Sequence, residues 1–199
     1  MNLKEAREIT LNYIRQYTGK EPGTNGERNT TQYDVDKGSV HSFIDTYEYY
    51  FSKYQDRPIN FLEIGISGGW ILHMWKTYFH QDSQIFGIDI DPLNLTWFEG
   101  IEKVNMIFSD INDTQKVMSE IKDTTFDIII DDASHTIQDQ YSTYQTMIQK
   151  LNKGGLYIIE DFANLEQNIT HFLPFSPKVV DLRNVQGRYD DVLVIFEKN

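Results

Sequence analysis

Two short runs hold the side chains best suited to catalysis. One reads Phe126-Asp127-Ile128-Ile129-Ile130-Asp131-Asp132-Ala133-Ser134-His135, the other Leu156-Tyr157-Ile158-Ile159-Glu160-Asp161. Each is an apolar strand-like run that ends in acids. As neighbouring strands about 5 Å apart, they would bring Asp132, Glu160 and Asp161 together at one sheet edge. Three carboxylates that close repel one another unless protons or a cation compensate. With no cysteine in the chain, such an oxygen-rich set selects Mg²⁺, Mn²⁺ or Ca²⁺ over softer metals, with Mg²⁺ or Mn²⁺ expected. His135, three residues past Asp132, is the one histidine of five inside an acidic strand-end motif, which makes it the candidate general base. The competing reading is structural: Asp131 and Asp132 would cap the next helix, and Glu160-Asp161 would be a solvated strand end.

A second constellation lies upstream. Phe61-Leu62-Glu63-Ile64-Gly65-Ile66-Ser67-Gly68-Gly69 is an apolar run followed by a glycine-rich turn. Glycines there let a ligand approach the backbone. Glu63 stands where a dinucleotide fingerprint would want glycine and no charge, so a cofactor bearing an ammonium and a sulfonium suits it better than a pyrophosphate. The next strand-like runs end in Gly87-Ile88-Asp89-Ile90-Asp91 and Phe108-Ser109-Asp110-Ile111. An acid at the first of these ends can accept bonds from ribose hydroxyls, and Asp110 could meet an adenine amino group. Glycine loop, Asp89 and Asp110 in that order are far more specific than any one alone.

These motifs need a scaffold that places strand ends side by side. Apolar runs at Ile59–Ile64, Ile85–Ile90, Val104–Phe108, Phe126–Ile130 and Leu156–Ile159 are mostly separated by helical patterns around Trp70–Phe79, Asp113–Lys122 and Ile137–Leu151. That alternation predicts a parallel sheet with helices on both faces. Lys178–Leu182 and Val192–Glu197, joined by a loop over Arg183–Asp191, predict a terminal hairpin that adds an antiparallel strand. Ahead of the sheet, Leu3, Ala6, Ile9, Tyr13, Ile14 and Tyr17 mark one helix with Gly19 as its C-cap, and Val40 to Tyr54 a second. Residues 19–39 read as a loop able to fold over a bound cofactor as a lid. The expected organisation is an N-terminal helical and lid segment, 1–58, on a core of 59–199, together one domain.

Residues 59–198 then resemble class I S-adenosylmethionine-dependent methyltransferases, a Rossmann-like α/β fold with a mostly parallel seven-stranded sheet and a reversed seventh strand. The resemblance implies that Gly65 and its loop, with Glu63 and Ser67, bind the methionine part, Asp89 the ribose, and Asp110 with Ile111 the adenine; Asp131 is placed in the same cofactor set. Asp132-x-x-His135 followed by Glu160-Asp161 resembles the metal-dependent sugar O-methyltransferases of antibiotic biosynthesis, of the mycinamicin and macrocin type. It implies Asp132, Glu160 and Asp161 as metal ligands and His135 as the base. Catechol O-methyltransferases have lysine at the base position and Asp-Asn at the second metal motif, so this chain departs toward a saccharide hydroxyl.

Asp34-Val35-Asp36-Lys37-Gly38-Ser39-Val40-His41 resembles the Asp-Lys-x-x-x-His segment of the same sugar enzymes. Lys37 is expected to pair with the cofactor carboxylate, with Ser39 or His41 lining the site; the alternative is an ordinary helix cap with Lys37 in solvent. Trp70, Tyr141 and Tyr144 are either an aromatic wall for a sugar ring or core. The 30 acidic and 18 basic residues give a net charge of −12, which disfavours nucleic acid. No apolar run has the length of a leader or a membrane span, so a cytoplasmic location is expected. The expected partner is a small-molecule or glycan acceptor, with neither nucleic acid nor membrane, and a homodimer is admitted. The function expected is S-adenosylmethionine-dependent methylation of a sugar hydroxyl, a 6-deoxyhexose such as rhamnose. A phenolic acceptor and a non-catalytic cofactor-binding module are the alternatives.

Overall fold

Capping and glycine punctuation set the first elements of the computed structural model, which describes residues 1–19, 22, 35–92 and 102–199. Helix α1 (Leu3–Thr18) opens on a reciprocal capping box between Asn2 and Glu5 and closes at Gly19, φ +67°. Asp34 and most of the segment read as a lid, residues 20, 21 and 23–34, fall outside the described residues. A 3-10 turn, Asp36–Gly38, replaces the start expected for the second helix. There the Asp36 carbonyl accepts the amides of Ser39, Val40 and His41, and helix α2 begins only at Ile44 (Ile44–Phe51).

Strands and helices then alternate as β1 (Asn60–Ile64), α3 (Trp70–Tyr78), β2 (Gln84–Asp89), β3 (Val104–Phe108), α4 (Thr114–Ile121), β4 (Phe126–Asp131), α5 (Ile137–Met147) and β5 (Leu151–Ile159). The chain ends with α6 (Leu165–Asn168), β6 (Lys178–Asp181), α7 (Arg183–Gln186) and β7 (Val192–Glu197). Seven strands form one sheet in the order β3-β2-β1-β4-β5-β7-β6. Neighbours are parallel except β7, which is antiparallel to both β5 and β6. This is the mostly parallel sheet with a terminal hairpin that the patterning predicts.

Two details differ from expectation. β5 starts at Leu151 because its ladder with β4 shifts register, Phe126 pairing Leu151 and Ile128 pairing Leu156, with Gly154 at φ +76° in the extra residues. The 183–191 connection carries a helical turn, α7, closed by Gly187 at φ +77°.

Strand alternation divides the sheet between two cores. Phe61, Ile128, Ile130, Leu156 and Ile158 join α1, α2 and α3 in one core. Leu62, Ile64, Ile129, Tyr157 and Ile159 join residues of α4 and α5 in the other. No helix among the described residues is long and apolar enough to cross a membrane. The order of strands reverses between β1 and β4, and ligands bind in such folds beyond the carboxyl ends at that reversal.

Candidate active site

Register brings the acids together. Ile64, Asp131 and Ile159 are paired across β1, β4 and β5, so Gly65, Asp132 and Glu160 leave the sheet side by side. The Asp132 amide donates to the Ile64 carbonyl at 2.8 Å and the Glu160 amide to the Asp131 carbonyl at 3.0 Å. Alternation then decides which way each side chain points. Glu63, Asp132 and Glu160 continue the face of Phe61, Ile130 and Ile158, toward the N-terminal helices. Asp131 continues the face of Ile129. It accepts from the Tyr157 hydroxyl at 3.1 Å, is buried and does not border the cavity at the strand ends. The placement of Asp131 in the cofactor set is therefore corrected: one residue of register turns it into the opposite core, where burial pushes its carboxyl up to about 7.

Lys37 enters the acidic cluster from the turn before α2. Its ammonium lies 2.9 Å from Glu63 Oε1, 3.0 Å from Asp132 Oδ2, and 2.6 and 2.7 Å from the two oxygens of Glu160. The side chain is 1 % exposed. Burial works against its charge, but Asp132, Glu160 and Glu63 outweigh it and hold the amine well above the usual lysine value. Glu63 also accepts from Trp75 Nε1 at 2.5 Å, and Glu160 from the Tyr47 hydroxyl. Burial raises both carboxyls, Glu63 to about 7. Lys37 is thus held by three protein carboxylates, Glu63, Asp132 and Glu160. Ser39 does not border the cavity, since the 3-10 turn presents Asp36 and Lys37 to it instead. Glu160, buried behind Lys37, does not border it either.

The loops enclose a cavity of about 580 Å³, within the range of small-molecule sites. The glycine loop forms one wall. Gly65 takes φ +83°, and a Cβ there would lie 2.1 Å from the Asp132 carbonyl oxygen, so glycine is demanded by the neighbouring strand end as well as by any ligand. Asp89 ties the loop to β2: its Oδ2 accepts the amides of Ile66 at 2.9 Å and Ser67 at 3.1 Å, and its Oδ1 that of Asp91 at 2.9 Å. Asp110 accepts the Asn112 amide at 2.9 Å. Gly65, Ser67, Asp89, Asp110 and Ile111 all border the cavity.

Asp132, His135 and Asp161 form the opposite wall. His135 Nε2 is 4.0 Å from Asp132 Oδ1, and its Nδ1 is 3.9 Å from Asp161 Oδ2. Both His135 and Asp161 have left-handed backbones, φ +56° and +49°, a conformation that non-glycine residues adopt mainly where surroundings enforce it. Burial and then Asp132 push the Asp161 carboxyl up to about 8. Behind it, His41 Nδ1 sits 3.2 Å from Asp161 Oδ1 and 3.1 Å from Asp191 Oδ1, and burial lowers its affinity for a proton.

Tyr47, Asp191 and Asp139 are contributors that the sequence reading missed. Tyr47 sits in an aromatic stripe that reads as core. Asp191 abuts an apolar strand and is fully buried, a mismatch visible in the sequence. Asp139 borders the cavity as the acceptor of the Ser134 and Thr136 hydroxyls. Trp70 and Tyr144 are buried in the two cores, Tyr141 packs against the second, and none of the three borders the cavity.

Comparison with known proteins agrees with this arrangement. The family described as "Methyltransferase domain" matches residues 56–184. The 8-demethyl-8-alpha-L-rhamnosyl tetracenomycin-C 2'-O-methyltransferase of Streptomyces olivaceus is 31% identical over 165 residues, 78% of this chain and 38% of that protein. Demethylmacrocin O-methyltransferase of Streptomyces fradiae is 31% identical over 166 residues, 78% of this chain and 40% of that protein. The solved MycE methyltransferase of the mycinamycin biosynthetic pathway, in complex with Mg, SAH and mycinamycin VI, is 30% identical with a TM-score of 0.58, over 65% of this chain and 35% of that one. The chain therefore spans about two fifths of the length of these relatives, 38% and 40%. A glycine loop at the reversal of strand order, acids closing the next two strands and a reversed last strand accompany that match, and the chain belongs to the methyltransferase domain family.

Proposed function

We propose that this protein transfers a methyl group from S-adenosylmethionine to a sugar hydroxyl, with a 6-deoxyhexose such as rhamnose as acceptor and Mg²⁺ or Mn²⁺ as the metal. The observation that carries the reading is the meeting of Asp132, Asp161 and His135 at one strand edge, across a cavity from the glycine loop, with Glu160 grouped behind Asp132 beside Glu63. The names of the relatives, which include a rhamnosyl 2'-O-methyltransferase and a Mg- and SAH-bound enzyme, support it.

The donor set suits a hard divalent ion. Glu63, Asp132 and Glu160 are three carboxylates around a single ammonium, and Asp161 lies beside Asp132. Asp161 Oδ1 is buried without a well-formed hydrogen bond. A cluster so short of positive charge is stabilised by a cation with oxygen preference. Asp132, Glu160 and Asp161 would hold it. When bound, the ion supplies positive charge beside the acceptor hydroxyl and favours its anionic form.

The chain's own residues do the rest. His135 takes the hydroxyl proton on an imidazole nitrogen. The glycine loop and Asp89 hold the methionine and ribose parts, and Asp110 with Ile111 the adenine. With S-adenosylmethionine bound, these residues would set the acceptor oxygen in line with the sulfonium methyl, whose bond to sulfur would break as the new O–C bond forms and S-adenosylhomocysteine leaves, fixed proximity supplying much of the acceleration. A panel of rhamnosides, other 6-deoxyhexosides and catechols, incubated with S-adenosylmethionine with and without EDTA, tests the reading. The expected result is one methylated glycoside, lost with EDTA and restored by Mg²⁺ or Mn²⁺. Full turnover after exhaustive chelation removes the metal, and exclusive methylation of catechols removes the sugar.

A further inference from the structure

The ammonium of Lys37 has three donors; its hydrogen bonds go to Asp132 and to both oxygens of Glu160, while Glu63 Oε1, 2.9 Å away, is an ion-pair neighbour without a well-formed hydrogen bond. None is left for a ligand in the adjoining cavity, although Lys37 and Glu63 both border it next to the glycine loop. Glu160 is equally committed. Both its oxygens face Lys37, and one also receives the Tyr47 hydroxyl. A divalent ion on these oxygens would stand within a few ångströms of the ammonium, and the repulsion between the two cations favours displacing the one on the flexible stem.

The three acceptors are not equivalent. Glu63 is anchored by Trp75 Nε1 on the floor of the cavity, whereas Asp132 and Glu160 are the carboxylates assigned above to the ion. The Lys37 backbone is fixed, its carbonyl accepting the Phe43 amide at 3.0 Å, while its four-carbon stem can swing about that anchor. Resting on the reading proposed above, we infer that Lys37 couples the two ligands of this site: a divalent ion displaces its ammonium from Glu160 and Asp132, and the ammonium, still held by Glu63, turns to the carboxylate of the amino-acid tail of the cofactor. The ion and the cofactor then tighten one another's binding through one lysine. Linkage requires the effect to be reciprocal and of equal size.

A lysine locked permanently in a structural ion cluster gives no such coupling, and the two cases separate by calorimetry without turnover. S-adenosylhomocysteine carries the same carboxylate and no transferable methyl. On the unmodified chain, saturating Mg²⁺ should tighten its Kd on the order of 10-fold, and saturating S-adenosylhomocysteine should tighten Mg²⁺ by the same factor. Lys37→Gln, checked for folding by circular dichroism, should still bind both ligands with the factor reduced to about 1. Should that variant not fold, the decarboxylated analogue of S-adenosylhomocysteine on the unmodified chain replaces it, and Mg²⁺ should not tighten it. Independent binding of the two ligands to the unmodified chain overturns the coupling and leaves the methyltransferase reading in place. So does coupling that persists in Lys37→Gln or with the decarboxylated analogue. Absence of any S-adenosylhomocysteine or Mg²⁺ binding removes both.

Discussion

On the β1–β2 side of the cavity, Asp89 accepts three backbone amides and the glycine loop is tied down before any ligand arrives. On the β4–β5 side, Asp132 and Glu160 share one ammonium with Glu63 of β1, and Asp161, held up near 8, keeps a buried oxygen without a well-formed hydrogen bond. The first side is satisfied by its own backbone and is a rigid mould. The second is held in place by strand register but short of positive charge. Pre-organisation of this kind suits a cofactor that must be placed the same way each time. Unbalanced charge suits a site that responds to what binds there.

The sharpest way to break the contrast is to strike the residue both sides share. Gly65 belongs to the cofactor loop, yet its missing side chain is what lets β4 end where it does. A Cβ would meet the Asp132 carbonyl oxygen at 2.1 Å, its carbon at 2.6 Å and Ala133 Cα at 2.8 Å, all backbone, at φ +83°. Backbone cannot step aside as a flexible side chain can. Gly65→Ala should therefore cost more than about 3 kcal/mol and abolish binding of both S-adenosylhomocysteine and Mn²⁺. Thermal unfolding with calorimetry checks this, and an unchanged Tm with either ligand still bound would show that the two strand ends are not interlocked.

How far the sequence disclosed the site follows the same division. Apolar runs closed by acids are local patterns, and they placed the sheet, the glycine loop, Asp89, Asp110, Asp132 and Asp161 where the structure has them. Asp131 and Asp132 are indistinguishable by composition; only the face on which Ile130 and Ile129 pack tells them apart. The segment around Lys37 marks it as a site residue, but its carboxylate partners lie beyond local reasoning. Lys37 meets Asp132 across 95 residues of chain and Glu160 across 123, and His41 meets Asp191 across 150. No periodicity or spacing encodes such contacts. The packing of the N-terminal helices on the sheet creates them.

On the cation side alone, His135→Gln keeps size and hydrogen bonding while deleting basicity. As the base, its loss should lower kcat by roughly 10²–10⁴-fold, with Mn²⁺ and S-adenosylhomocysteine affinities within about 2-fold of the unmodified chain. Asp132, His135 and Asp161 also lie close enough to share an ion, their ligand atoms all within 4.8 Å of one another. Single-turnover kinetics beside Mn²⁺ titration decides between the roles. A kcat loss with unchanged Mn²⁺ affinity fits a base, whereas a large loss of Mn²⁺ affinity makes His135 a ligand and leaves the base to be sought elsewhere.

The smallest expected effect lies on the cofactor side, at Asp89. Its Oδ2 already carries the Ile66 and Ser67 amides, and its Oδ1 the Asp91 amide, so ribose hydroxyls would bind the remaining lone pairs of a carboxylate whose orientation the backbone has fixed. Asp89→Asn keeps one oxygen, which can stay with the loop amides, and turns the other acceptor into a donor facing the Asp91 amide. One charge-assisted acceptor is lost and one donor is left opposed to another. That should weaken S-adenosylhomocysteine by about 1.5–3 kcal/mol, roughly 10- to 150-fold. Mn²⁺ affinity should barely move, because Asp89 has no part in the Lys37 cluster. Calorimetry with each ligand separately makes the comparison. If Asp89→Asn weakened Mn²⁺ as much as the nucleoside, the two sides of the cavity would be one electrostatic unit, and the division between rigid mould and responsive cluster would fall.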